Sequence, residues 1–154
     1  MKMSSIFAAF IVAVVTLPST AQTTRIGTFD KRSIVVAYYR SPQWAEVLEA
    51  KLAELKQAKA TGDTKKAEEL EAWGKAHQET AHRQLAGDAP INNIFDALKP
   101  ALPEIARKAQ VSNIVMDPPR TGPGIQIVDV TDQLLDWLKA DARTRSIIKD
   151  LREK

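Results

Sequence analysis

The chain holds two histidines, His77 and His82, and no cysteine. Five residues apart, the imidazoles fall on different faces of a helix. No His-x-x-x-His or similar ligand spacing exists, so the pattern makes no metal site. The lack of cysteine excludes a thiolate metal site, a catalytic thiol, a disulfide framework and a lipoprotein anchor. Asp129 and Asp132 are spaced as a carboxylate pair. No nucleophile, oxyanion donor set or glycine-rich phosphate loop accompanies them, so acid–base catalysis lacks its other parts. Placed before the apolar positions Leu134, Leu135 and Leu138, Asp129 and Thr131 read as helix-capping residues, whose oxygens accept from free backbone N–H groups. One polar constellation remains. Asp30-Lys31-Arg32, Tyr38-Tyr39-Arg40 and His82 would form a candidate pocket for an anion or small ligand if Asp30, Tyr38 and His82 converged. No catalytic, metal-binding or cofactor-binding residue is assigned, no cofactor is implied, and the expected protein is not an enzyme.

These residues must be positioned by a chain of 154 residues, enough for one domain. Hydrophobic residues at 44% and charged residues at 27% fit a folded rather than a disordered chain. The net charge of +3 is too small to argue for a nucleic-acid binder, which shows a concentrated basic face. Residues 1–21 read as a secretory signal peptide: Lys2, an apolar run from Ile6 to Leu17, then Ser19-Thr20-Ala21 with cleavage after Ala21. The apolar run is too short to span a bilayer, which takes roughly 20 residues. The expected location is the periplasm. Residues 139–154 carry six basic and three acidic groups. With Ile147, Ile148 and Leu151 among them, they read as a charged C-terminal tail, a solvated terminal helix able to touch an anionic membrane surface weakly.

Between leader and tail, Arg25 to Asp30 reads as a strand. Ser33 to Tyr39 is open between strand, by its β-branched residues, and helix, by its capping serine. Gln43 to Ala60 is a helix with Ala45, Leu48, Leu52 and Leu55 at the spacing of a coiled-coil seam. A Thr61-Gly62-Asp63 turn leads to a second helix from Thr64 to Ala86, whose seam is Ala67, Leu70, Gly74, His77 and Ala81. A short turn predicts that the two fold back as an antiparallel hairpin over about 43–86. Trp44 and Trp73 stand 18 and 11 residues from Gly62, an offset of roughly 10 Å at the backbone, which predicts no direct stacking. Ile91 to Ala109 reads as a kinked helix or two short ones, because Pro100 and Pro103 interrupt it. Val111 to Met116 and Ile125 to Val128 read as strands around a proline-rich loop, with Val115, Ile127 and Val128 expected to be buried.

The order of these elements resembles the Skp/OmpH-like periplasmic chaperones. The likeness rests on Ile26-Gly27-Thr28-Phe29-Asp30, Ser41-Pro42, Ile105-Ala106-Arg107-Lys108-Ala109, Ile114-Val115-Met116-Asp117 and above all Ile127-Val128-Asp129-Val130-Thr131-Asp132. It covers residues 22–138. The resemblance implies a helix-rich α+β fold: a small β body, a projecting coiled-coil-like hairpin arm and a homotrimer. It implies an ATP-independent holdase that shields unfolded outer-membrane or periplasmic proteins. The side chains expected to meet such clients are Trp44, Val47, Leu55, Leu70 and Trp73. The alternative is an assembly module that docks one specific envelope partner.

Overall fold

Gly27 fixes where the chain comes together. It lies in β1 (Thr24–Thr28), the central strand of a three-stranded sheet ordered β2-β1-β3. A Cβ at this position would come within 2.8 Å of Ile114 Cγ1 and 3.2 Å of Val111 Cγ2, so only glycine lets the neighbouring strand approach. That neighbour, β2 (Asn113–Ile114), pairs Ile26 with Asn113 and Gly27 with Ile114. On the other side β3 (Ile125–Asp129) runs in register from Thr24–Ile125 to Thr28–Asp129. Both pairings are parallel. The computed structural model describes residues 23–153; the expected leader and its cleavage point lie outside the described residues.

Parallel strands need long crossovers, and five helices supply the first. These are α1 (Lys31–Tyr39), α2 (Pro42–Thr61), α3 (Thr64–Ala86), α4 (Asn92–Leu98) and α5 (Leu102–Ala109). The segment 33–39 is therefore helix; local β-propensity loses to a cap supplied by Asp30, whose Oδ1 accepts from Ser33 N at 2.7 Å. Pro100 and Pro103 divide 91–109 into two helices. The strand expected over Val111–Met116 shrinks to two residues, flanked by single ladder bonds from Ser112 N to Arg25 O and Val115 N to Gly27 O. After β3 come α6 (Thr131–Trp137) and α7 (Ala142–Arg152). The described chain is thus a helix-rich α+β fold.

The core gathers Phe29, Ile34, Val35, Ile94, Leu98, Leu134, Leu138 and Ile148 from both ends of the chain. Val128 packs against this core but is only half-buried, and Ile127 and Val115 are half-buried outside it. The expectation of full burial is corrected on all three. Strand alternation turns Ile127 to the opposite sheet face from Val128, and Val115 lies beyond the end of β2. The expected solvated tail is also corrected. α7 packs on α1, buries Thr144 and Ile148, and sends Arg152 Nε to Ser33 Oγ at 2.9 Å. An amphipathic spacing of Ile147, Ile148 and Leu151 outweighs the charge run, because one apolar stripe suffices to dock a helix.

Candidate functional site

Two places gather side chains that could act: an aromatic cluster where α1, α2 and α3 meet, and the outward face of α2.

The cluster begins at Ser41. Its Oγ accepts from Trp44 N at 3.3 Å and donates to Tyr38 O at 2.7 Å, which closes α1 and opens α2 with Pro42 in the first turn. This sets Trp44 against Tyr38 and Tyr39, with ring centroids 5.8 and 5.1 Å away. From α3, Trp73 stacks on Trp44 at 6.2 Å with planes 22° apart. His77 stacks on the same indole at 5.7 Å and lies 4.2 Å from Trp73. The expectation that the tryptophans do not stack is corrected. Heights counted along the backbone neglect the reach of an indole, which spans several ångströms from its Cα.

Below the rings, Tyr39 Oη donates to Gln84 Oε1 at 2.8 Å. Gln84 Nε2 donates to Pro90 O at 2.8 Å and to Asn93 Oδ1 at 2.7 Å. Gln84 is buried, and this set of bonds joins α1, α3 and the start of α4. Burial raises the Tyr38 phenol above its ordinary value, with Tyr39 adding to the effect. Burial raises Tyr39 as well.

The expected polar pocket of Asp30, Tyr38 and His82 does not assemble. Asp30 stands at one end of α1 and Tyr38 at the other, eight residues or about 12 Å along the axis. His82 is exposed on α3. Asp30 instead belongs to a network at the helix starts. Arg152 Nε donates to Ser33 Oγ, which donates to Asp30 Oδ1. Asp30 N donates to Thr131 Oγ1 at 2.9 Å, and Thr131 donates to Asp129 Oδ1 through N at 2.8 Å and through Oγ1 at 2.5 Å. Asp129 thus accepts from Thr131 N where α6 begins, but the N-cap position is Val130 and carries no side-chain cap; Thr131, expected as a cap, is the first helical residue, and its Oγ1 accepts from Asp30 N instead. A neighbouring cleft of about 410 Å³ runs between the start of α1 and the Gly87–Asn92 turn. Lys31 and Asp117, paired at 2.5 Å, give it mixed charge. Among the described residues, no group of three or more His, Asp or Glu is arranged to hold a metal ion.

The α2–α3 contact is rotated to one side of the expected seam and keeps Leu55 from it. Ala58, Ala67 and Leu70 are buried, and Leu55 is half-buried. The pair is closed by Lys59–Glu71 at 2.7 Å and Lys66–Glu54 at 3.6 Å. Trp44, Lys51, Leu55 and Ala58 form the inward side. Leu48 and Leu52, expected in the seam, are 40% and 54% exposed. The residues that sequence reasoning missed are therefore Leu48 and Leu52. The second seam at 44, 51, 55 and 58 was the available signal, because it carries the helix's tryptophan. Of the five expected client residues, Val47 is exposed at 43%, Leu55 and both tryptophans are half-buried, and Leu70 is buried.

No family model, curated protein or solved structure matches the chain. Among the described residues, no helix is long and apolar enough to cross a membrane.

Proposed function

We propose that this protein is a non-enzymatic, ATP-independent holdase of the periplasm, akin to the Skp/OmpH-like chaperones. In this reading, α2 and α3 form an antiparallel hairpin arm and the β body closes a homotrimer. The observation that carries the proposal is the exposure of Val47, Leu48 and Leu52: among the described residues these are the exposed large apolar side chains, and all three lie on α2, Leu48 and Leu52 on one flank and Val47 on the other. Exposed apolar side chains grouped on one element suit the capture of apolar segments. The inward Trp44–Trp73 stack would stiffen the arm rather than touch clients. Leu70 has the same role, so the client surface moves from the expected set to Leu48 and Leu52, with Val47 exposed on the other flank of α2. Ile26, Ile125 and Ile127 are half-buried outside the core and offer an apolar sheet face for the trimer.

The test is light scattering of a diluted unfolded porin. The intact protein should suppress aggregation, and a Leu48→Ser/Leu52→Ser variant with an unchanged melting curve should not. Full protection by the double variant would remove the mechanism. A second reading is favoured by the small size of the exposed strip, which fits one helix of a folded envelope partner. It becomes the better account if the intact protein protects no client.

A further inference from the structure

The start of β1 holds a cation that the fold leaves unmatched. Arg25 is the second residue of β1, and Ser112 pins its backbone by donating to Arg25 O through N at 2.8 Å and through Oγ at 2.9 Å. Its side chain reaches the end of α5, where Nη1 donates to Gln110 Oε1 at 3.2 Å. That acceptor is neutral, and the bond sits at the long end of the range. Arg25 Nε is buried without a hydrogen-bond partner. Arg25 enters no ion pair among the described residues. The C-terminal dipole of α5 supplies only about half a negative charge, so the guanidinium stays undercompensated. A buried N–H without an acceptor is rare and calls for a water or an ion that completes the site.

Arg25 also lines a cleft of about 440 Å³, together with Thr23, Thr24, Gln110 and Ser112. No carboxylate lines it. The two threonines add hydroxyl donors to the one full positive charge. Such a lining selects an oxyanion. A planar carboxylate is filled by the guanidinium fork alone. The oxygens of a phosphate diverge, so one group can accept from the guanidinium and from the hydroxyls together.

We propose that Arg25, Thr23 and Thr24 form a phosphate-binding site beside the starts of β1 and β2, in which a phosphate oxygen displaces Gln110 Oε1 from Arg25 Nη1. Gln110 holds the place until then. Its backbone is left-handed at φ +55°, and its N–H caps α5 whether or not its side chain touches Arg25. No residue of α2 or α3 lines the cleft, so the site is independent of the proposed holding function.

The test is a titration of the full chain with inorganic phosphate, exchanged against chloride at constant ionic strength. Proton–nitrogen NMR follows Arg25 Nε–H and the backbone amides of Gln110 and Ser112. All three should shift together and saturate, with a dissociation constant on the order of 1 mM. Arg25→Gln should abolish the saturable shift of the two amides. Arg25→Lys keeps the charge without the fork and should weaken binding roughly tenfold, which reads the site even if the glutamine variant fails to fold. Gln110→Gly suits the left-handed cap and removes the side chain that holds the place, so binding should persist at least as tightly. Glycerol phosphate separates the sources: tighter binding than inorganic phosphate assigns a phosphate ester, and equal or weaker binding assigns the free ion. Shifts that never saturate overturn the proposal. So does binding that Arg25→Lys leaves unchanged, or that Gln110→Gly abolishes.

Discussion

Replacing Gln84 with leucine keeps the volume of a buried side chain and deletes three hydrogen bonds at once: those with Tyr39 Oη, Pro90 O and Asn93 Oδ1. Each neutral bond contributes about 1 kcal/mol net, and partners left fully buried would cost more. The three partners are only part-buried and can recover water. The loss should therefore be about 2–3 kcal/mol rather than a larger sum. Unfolding entropy of about 2.1 cal/mol/K per residue converts this, over a domain near 130 residues, to a melting temperature lower by roughly 7–11 °C. Tyr39→Phe removes one of the bonds and should cost about 1 kcal/mol. Because the two residues share a bond, the double variant should cost less than the sum of the singles by about that amount. Thermal melts followed by circular dichroism measure all three. A Gln84→Leu chain that melts within 2 °C of the parent (about the assay's resolution), or strictly additive variants, would refute the view that this side chain ties α3 to α1 and α4.

Three further outcomes follow from separate parts of the molecule. Gly27→Ala should cost about 1–3 kcal/mol, because its Cβ meets Ile114. Gly74→Ala should gain roughly 0.5–1 kcal/mol, since that helix-interior glycine has nothing within 4 Å of the added carbon; denaturant melts check both signs. Tyr38 and Tyr39 are the only tyrosines, so absorbance titration of the phenolate reads the aromatic cluster directly. Both should ionise above the ordinary phenol range, and Trp44→Ala should move them back toward it as burial is relieved. Because their folded values are raised, the associated stability is complete below the ordinary phenol value and is lost as pH rises through the folded ones. Asp141 has the opposite sign. The Thr144 backbone N–H that it caps holds its carboxyl below the ordinary range. Its contribution is present above that range and is lost as pH falls through the depressed value, and Asp141→Asn should blunt this acid dependence in pH-resolved melts.

How far the sequence reaches differs by element. Long segments with strong local punctuation were legible. Ser41-Pro42 opens α2, Gly62 at φ +72° closes it, and Asp63 caps α3, each through bonds that span only a few residues. The seam of α3 was legible too, because Ala67 and Leu70 lie on its single apolar stripe. The acceptor role of Asp129 toward Thr131 N depends on local spacing, whereas the Thr131 hydroxyl, expected as a cap, serves the distant Asp30 N. What the sequence left undecided depends on partners far along the chain. β1 is central only because residues 113–114 and 125–129 return to it, and the close approach of β2 needs the bare Cα of Gly27 beside Ile114. α2 has two overlapping stripes, 45/48/52/55 and 44/51/55/58, that share Leu55; the docking of Trp44 on Tyr38, Tyr39, Trp73 and His77 turns the second inward. The C-terminal charge run hid the packing of its helix for the same reason: Ile148 is buried in the core and α7 packs on α1, more than a hundred residues earlier in the chain. Local composition fixed which segments become helices. The tertiary structure chose which faces they bury, because burial is a contact between distant residues and no local spacing encodes the partner.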